Sequence, residues 1–109
     1  MSELGSAARI LGMLGLAKRA GKLVAGTDAV IAAVASQKKP DLCVCASDAS
    51  ERTKKQLADK CAFYGVTLVT VASAKDELAS ALGKKDGQTS ACAVCDRGMA
   101  EKIILLGKD

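Results

Sequence analysis

The sequence contains no histidine. That removes Ser-His-Asp and Cys-His catalysis, zinc sites that need imidazole, and the commonest general base of neutral pH. Tryptophan is also absent, and Phe63 and Tyr64 are the only aromatics. The core must therefore be built from Leu, Ile, Val, Ala, Met and Cys. A chain so poor in aromatic rings is badly equipped to hold single-stranded nucleic acid by base stacking. Proline occurs once, at Pro40. No apolar run approaches the roughly 18 residues that a membrane-spanning helix requires. Residues 1–12 carry Glu3 and Arg9 and lead into an amphipathic pattern, which does not read as a signal peptide. A cytoplasmic location without membrane contact is the expectation.

What is present fits one domain over residues 1–109, half of whose residues are apolar. Sixteen basic and twelve acidic residues leave a net charge of +4, compatible with a polyanionic partner. The five cysteines are an odd number, which argues against a fully paired disulfide scaffold. Cys43, Cys45 and Cys92 fall in apolar strand-like segments, and Cys92 with Cys95 forms a CxxC whose interior residues extend a strand. All five are read as reduced core residues, with no metal. Around Gly21 and Gly26 neither a dinucleotide fingerprint nor a phosphate loop is present, so no nucleotide cofactor is expected. Paired carboxylates offer no better case: Asp28, Asp48 and Asp96 each stand where a helix cap would. No enzymatic activity is predicted.

Residues 4–20 place Leu4, Ala7, Ala8, Leu11, Leu14 and Ala17 at helical spacing, with Lys18-Arg19 and then Gly21 as a C-terminal stop. The pair Gly12 and Gly15 within it suggests close packing. Residues 22–25 form a short extended segment. Gly26-Thr27-Asp28 opens a second helix with Thr27 or Asp28 as cap, and Val30, Ile31 and Val34 give that helix a buried side. Residues 42–46 read as a central strand, and 47–50 as a turn and cap. A helix then carries Leu57, Ala58, Cys61 and Ala62 to Gly65. A strand over 66–71, a helix capped by Ser73, a polar loop over 84–89, a strand over 90–94 and a helix capped by Asp96 complete the chain. Strands alternating with helices imply an α/β fold, a three-layer α/β/α sandwich. Periodicity alone suggests that its sheet is largely parallel.

The basic residues fall into groups: Lys18, Arg19 and Lys22 near the first helix end; Arg52, Lys54, Lys55 and Lys60 along the third helix; and Lys84 with Lys85 before the last strand. A helix start such as Gly26-Thr27-Asp28 offers free N–H groups to phosphate. A folded RNA, read by backbone and Lys/Arg contacts, suits this composition.

Leu14-Gly15-Leu16-Ala17-Lys18-Arg19-Ala20-Gly21-Lys22-Leu23-Val24-Ala25-Gly26, together with Ala46-Ser47-Asp48-Ala49-Ser50, Thr53-Lys54-Lys55 and Asp59-Lys60-Cys61, resembles the ribosomal protein L7Ae/L30e/S12e/Gadd45 family, especially its small bacterial YlxQ-like members. The resemblance implies an α/β/α sandwich with a four-stranded mixed sheet. It also implies binding of structured RNA, with ribosomal RNA among the candidates and ribosomal or RNA-processing proteins as further partners. DNA specificity is not implied. Many members bind kink-turn RNA with a Gly-x-Asn-Glu-x-x-Lys pattern at the start of the second helix and with the loop before the last strand. Here that pattern falls on Gly26, Asp28, Ala29 and Ala32, with Asp28 in the Asn position and alanines replacing Glu and Lys. An ionised Asp28 accepts hydrogen bonds but cannot donate, so weak kink-turn binding is expected. The RNA-binding set is Lys18, Arg19, Lys22, Gly26, Thr27, Asp28, Ala29, Ala32, Ser50, Lys84, Lys85, Thr89 and Ser90. The alternative is a protein-interaction module that has lost RNA binding.

Overall fold

The computed structural model describes residues 2–84 and 87–107, with side chains from Ala7 onward. Along these residues run α1 (Ser2–Arg19), β1 (Leu23–Ala25), α2 (Thr27–Val34), β2 (Leu42–Ala46), α3 (Glu51–Tyr64), β3 (Leu68–Val71), α4 (Lys75–Ala81), β4 (Ala91–Val94) and α5 (Arg97–Gly107). The strands form one sheet in the order β1-β4-β2-β3. Only β2 and β3 pair in parallel; β4 lies antiparallel to both its neighbours. The sheet is mixed, as the family resemblance implies, and not largely parallel as the alternation of elements suggests.

The central strands are buried on both sides, which is why they read as unbroken apolar runs. Strand alternation divides their side chains between two cores. Leu42, Val44, Cys92 and Val94 face α1, α4 and α5, packing with Leu14, Leu78 and Ile103. Cys43, Cys45, Ala91 and Ala93 face α2 and α3, packing with Val30, Val34, Leu57 and Cys61. These small residues let the two helices approach the sheet closely. The result is the expected three-layer sandwich with an aliphatic core.

On α1 the buried positions are Ala7, Ile10, Leu14 and Ala17, while Ala8 is exposed; its stripe is rotated slightly from the expected one. The Leu4 side chain lies outside the described ones. A Cβ on Gly15 would stand 3.1 Å from the Ala81 carbonyl oxygen, so Gly15 does permit close contact between α1 and α4. Gly12 does not serve that purpose, since nothing lies within 4 Å of its would-be Cβ. Along α3, Leu57 and Cys61 are buried but Ala58 and Ala62 face solvent. Phe63 is 81% exposed and meets Tyr64 edge-on, outside either core.

The capping pattern also departs from expectation. Ser50 Oγ accepts from the Thr53 N–H at 3.1 Å, and Asp96 Oδ1 accepts from the Met99 N–H at 2.9 Å, as anticipated. Neither Thr27 nor Asp28 caps α2; its N-cap is Gly26, with no side-chain acceptor. Ser73 does not cap α4: it is buried one residue before the N-cap position, which Ala74 holds, and its carbonyl accepts from Ser47. The N–H of Lys75 donates to Asp48 Oδ1 and that of Ala74 to Glu77 Oε1, each at 2.8 Å. Thus Asp48 caps a helix other than the one that follows it in sequence.

Four of the cysteines are buried, but Cys95 is exposed just beyond β4. Burial pushes the Cys43 thiol well above its ordinary value, with neighbouring Cys61 adding to the shift. Burial likewise pushes Cys92 up to about 12. Such thiols are poor nucleophiles and poor metal ligands at neutral pH. No cluster of three or more His, Cys, Asp or Glu side chains suited to a metal occurs among the described residues.

Candidate nucleic-acid interface

Because β4 runs against its neighbours, its start lies at the same sheet edge as the ends of β1, β2 and β3. Backbone hydrogen bonds stitch that edge together: Gly26 N to Ala91 O at 2.9 Å, Ala46 N to Ser90 O at 2.8 Å, and Ser47 N to Ser73 O at 3.0 Å. The N-termini of α2, α3 and α4 open from this edge. Of the sequence-predicted residues, Gly26, Thr27, Asp28, Ser50, Thr89 and Ser90 are brought together here.

The three helix starts differ electrostatically. At α4 the leading N–H groups are occupied by carboxylates: Asp48 and Glu77 as above, and Asp76 Oδ1 accepting from the Glu77 N–H at 2.8 Å. That end repels an anion. At α3, Ser50 fills the cap. At α2, although the carboxylate of Asp28 stands in the same first turn, no side chain accepts from the leading N–H groups. Gly26 makes this possible. Its φ of 102° and ψ of 140° are a conformation open essentially to glycine alone, and they turn the chain from β1 directly into the helix. An anion therefore meets open N–H groups beside the single carboxylate of Asp28 at β1, and N–H groups already taken by three carboxylates at β3.

On α2, Asp28, Ala29 and Ala32 are all exposed, consistent with one outward surface. Thr89 is different: it is 2% exposed, its N–H donates to the Lys75 carbonyl at 3.1 Å, and its hydroxyl finds no partner among the described residues. It anchors the base of the loop before β4 rather than forming its surface. Lys84 stands at the far end of α4, hydrogen-bonded through its N–H to the Ala79 carbonyl. Lys85 lies outside the described residues.

Lys18, Arg19 and Lys22 are not part of this cluster. The Lys22 carbonyl accepts from Cys95 N at 2.8 Å, at the opposite sheet edge. Four residues of extended chain, roughly 13 Å, separate Lys22 from Gly26. A residue absent from the sequence-derived set is Lys54. Its ammonium favours the thiolate of Cys45 near the end of β2, opposing the burial that raises that thiol. It also pairs with Glu51 at 3.8 Å. Lys54 thus places a cation, shared with Glu51, near the end of β2, a nearness that the helical repeat of α3 does not reveal by itself.

The fold has counterparts. RNA-binding protein YlxQ of Enterococcus faecium is 35% identical over 98 residues, covering 90% of each chain. RNA-binding protein YlxQ of Bacillus subtilis is 38% identical over 96 residues, covering 86% of this chain and 90% of that one. A Bacillus halodurans protein described as of unknown function has a solved structure with a TM-score of 0.84 at 34% identity; the match covers 94% of this chain and 99% of that one. The 15.5kD RNA binding protein of Giardia lamblia, at 18% identity, shares the fold with a TM-score of 0.76, covering 95% of this chain and 87% of that one. Residues 8–104 match the family pattern from the first described side chains of α1 into α5, and with them the chain belongs to the ribosomal protein L7Ae/L30e/S12e/Gadd45 family.

Proposed function

We propose that this protein binds structured RNA, without catalysing a reaction, through the sheet edge where the uncapped start of α2 meets the loop before β4. The observation that carries the reading is the start of α2 at Gly26, whose leading N–H groups meet no side-chain acceptor, within an edge whose other helix starts are already occupied. Phosphate bound there accepts from backbone N–H groups, while Lys54 raises its local concentration. The names of the similar YlxQ proteins support an RNA ligand. Ribosomal RNA is the proposed class of target, met in the cytoplasm; no helix among the described residues is long and apolar enough to cross a membrane.

Specificity for kink-turns is weak on this reading. Asp28 places a carboxylate where an amide would donate, and Ala29 and Ala32 supply neither an acceptor nor a cation. The test is a titration of the natural protein and of Asp28→Asn/Ala29→Glu/Ala32→Lys against one kink-turn RNA and one straight duplex at fixed salt. All three positions are exposed, so the triple variant should fold. It is expected to bind the kinked RNA at least about tenfold more tightly than the natural protein, from roughly 1 kcal/mol each for the removed charge and the added lysine. A folded variant with no preference for the kinked RNA refutes the assignment of this surface.

A further inference from the structure

Away from the sheet edge, α1 and α5 leave an open groove of about 560 Å³ between them on the outer face of their layer. Its floor is apolar, formed by Gly12, Met13, Leu16 and Leu106, and Leu16 is 46% exposed. Its rim carries Arg9, Arg19 and Lys102, and no carboxylate lines it. None of these three cations joins a salt bridge among the described residues, whereas the one acid of α5, Glu101, is engaged by Arg97 at 3.8 Å. Arg19, expected from the sequence to face RNA, stands on this rim.

We infer that this groove docks an acidic amphipathic helix of a partner protein. On α1, Arg9, the adjacent pair Gly12 and Met13, Leu16 and Arg19 recur at helical spacing, a single stripe with a cation at each end. Arg9 and Arg19 are separated by ten residues, about 15 Å along the helix, with Lys102 contributed from the facing wall. That length matches about three turns of a bound helix, whose leucines would lie on the floor while flanking glutamates meet the rim. Met13 offers the adaptable contact common at peptide-binding surfaces. The missing side chain at Gly12 leaves open space at the centre, where a partner's larger residue can enter.

Charge selects this occupant over others. A second copy of the chain docked symmetrically would set two sets of these cations against each other. A fatty acid carries one carboxylate at one end, but the groove offers cations along its whole length. RNA would place phosphate on the rim yet leave the leucine floor without a complement.

The test uses the full chain against a displayed library of helical peptides of about 18 residues, long enough to hold a helix when bound. Leucines are fixed at helical spacing and the flanking positions vary among Glu, Lys, Gln and Ala. Glu-flanked sequences should be enriched. Arg9→Glu/Arg19→Glu should weaken them about tenfold or more and should favour Lys-flanked sequences instead. Gly12→Leu fills the groove at a position with no neighbour within 4 Å and improves helix propensity, so it should fold normally and abolish peptide binding. Binding of structured RNA should survive Gly12→Leu, which separates this inference from the RNA-binding reading. The inference is overturned if no peptide is enriched, if the enriched peptides lack an acidic bias, or if they bind Gly12→Leu unchanged. It is equally overturned if decanoate binds where no peptide does, or if RNA binding is what Gly12→Leu removes.

Discussion

Asp48 ties the turn after β2 to the start of α4, and its two roles can be separated by two substitutions. Its Oδ1 accepts from the Lys75 N–H at 2.8 Å. A seven-residue helix has little stability of its own, so α4 depends on such caps. Asp48→Ala leaves that N–H without its acceptor and should cost about 1 kcal/mol, the usual worth of an exposed cap. For a chain of 109 residues the unfolding entropy makes this a fall of about 4 °C in Tm. Asp48→Asn keeps an oxygen in place and loses only the charge, so it should fall by less than half as much.

The same pair tests the electrostatics of the edge. Asp48 follows β2, two strand spacings or about 10 Å from the start of α2 beside β1. At that distance in water one charge acts on a phosphate with about 0.4 kcal/mol, before screening. Asp48→Asn should therefore bind structured RNA up to about twofold more tightly at low salt, an advantage that fades as salt is added. Thermal unfolding followed by circular dichroism at 222 nm, with an RNA titration at two salt concentrations, reads both effects. If Asp48→Ala unfolds with the natural protein, or Asp48→Asn falls as far as Asp48→Ala, the cap does not act as described.

Two further outcomes follow from burial. The Cys92 thiol, held protonated to about 12 against an ordinary value of 9.0, stabilises the fold fully below pH 9; that stability drains as pH rises toward 12, because only the unfolded thiol ionises there. Urea unfolding at pH 8 and pH 11 should show a loss larger by about 3 kcal/mol in the natural protein than in Cys92→Ala, and equal losses refute it. The two glycines of α1 should also diverge: Gly12→Ala, in open space, should raise stability by about 0.5–1 kcal/mol, whereas Gly15→Ala must displace the Ala81 carbonyl and should lower it. Matching Tm shifts for the two would contradict the packing of α1 on α4.

The order of elements was legible in the sequence because each kind of burial leaves its own repeat. The two-sided burial of β2 gives an unbroken apolar run, while one-sided burial of α3 spaces Leu57 from Cys61 by one turn. Caps were less legible. Asp48 and Glu77 both have the chemistry of a cap, but which helix Asp48 serves depends on the approach of two loops that are 27 residues apart. Ser73 has the same chemistry and is diverted by burial. The basic groups show the limit most clearly. Lys22 and Gly26 are four residues apart and mark opposite ends of a strand, so nearness in sequence said nothing of a shared surface. Cys95 failed for a simpler reason: the strand ends at Val94, one residue before it.

The direction of β4 was not written in any repeat, and yet the candidate interface depends on it. After β3 the chain moves away from the shared edge along α4, about 10 Å for seven residues. Nine residues then separate Ala81 from Ala91, enough extended chain to span about 30 Å. That is ample to return to the edge it left, and the bond from Thr89 N to the Lys75 carbonyl shows that it does. Had β4 run parallel, the chain would have entered it from the opposite edge, and Thr89 and Ser90 would lie far from Gly26. Reversal instead inserts β4 between β1 and β2 with its leading loop beside both. The polar stretch over residues 83–90 is thus the physical signal that periodicity analysis passes over: a short helix followed by a long return. It converts three separate helix starts into one edge, with N–H groups free of side-chain caps at β1 and N–H groups taken by carboxylates at β3. On the proposed reading, that difference would give an RNA backbone one orientation to prefer.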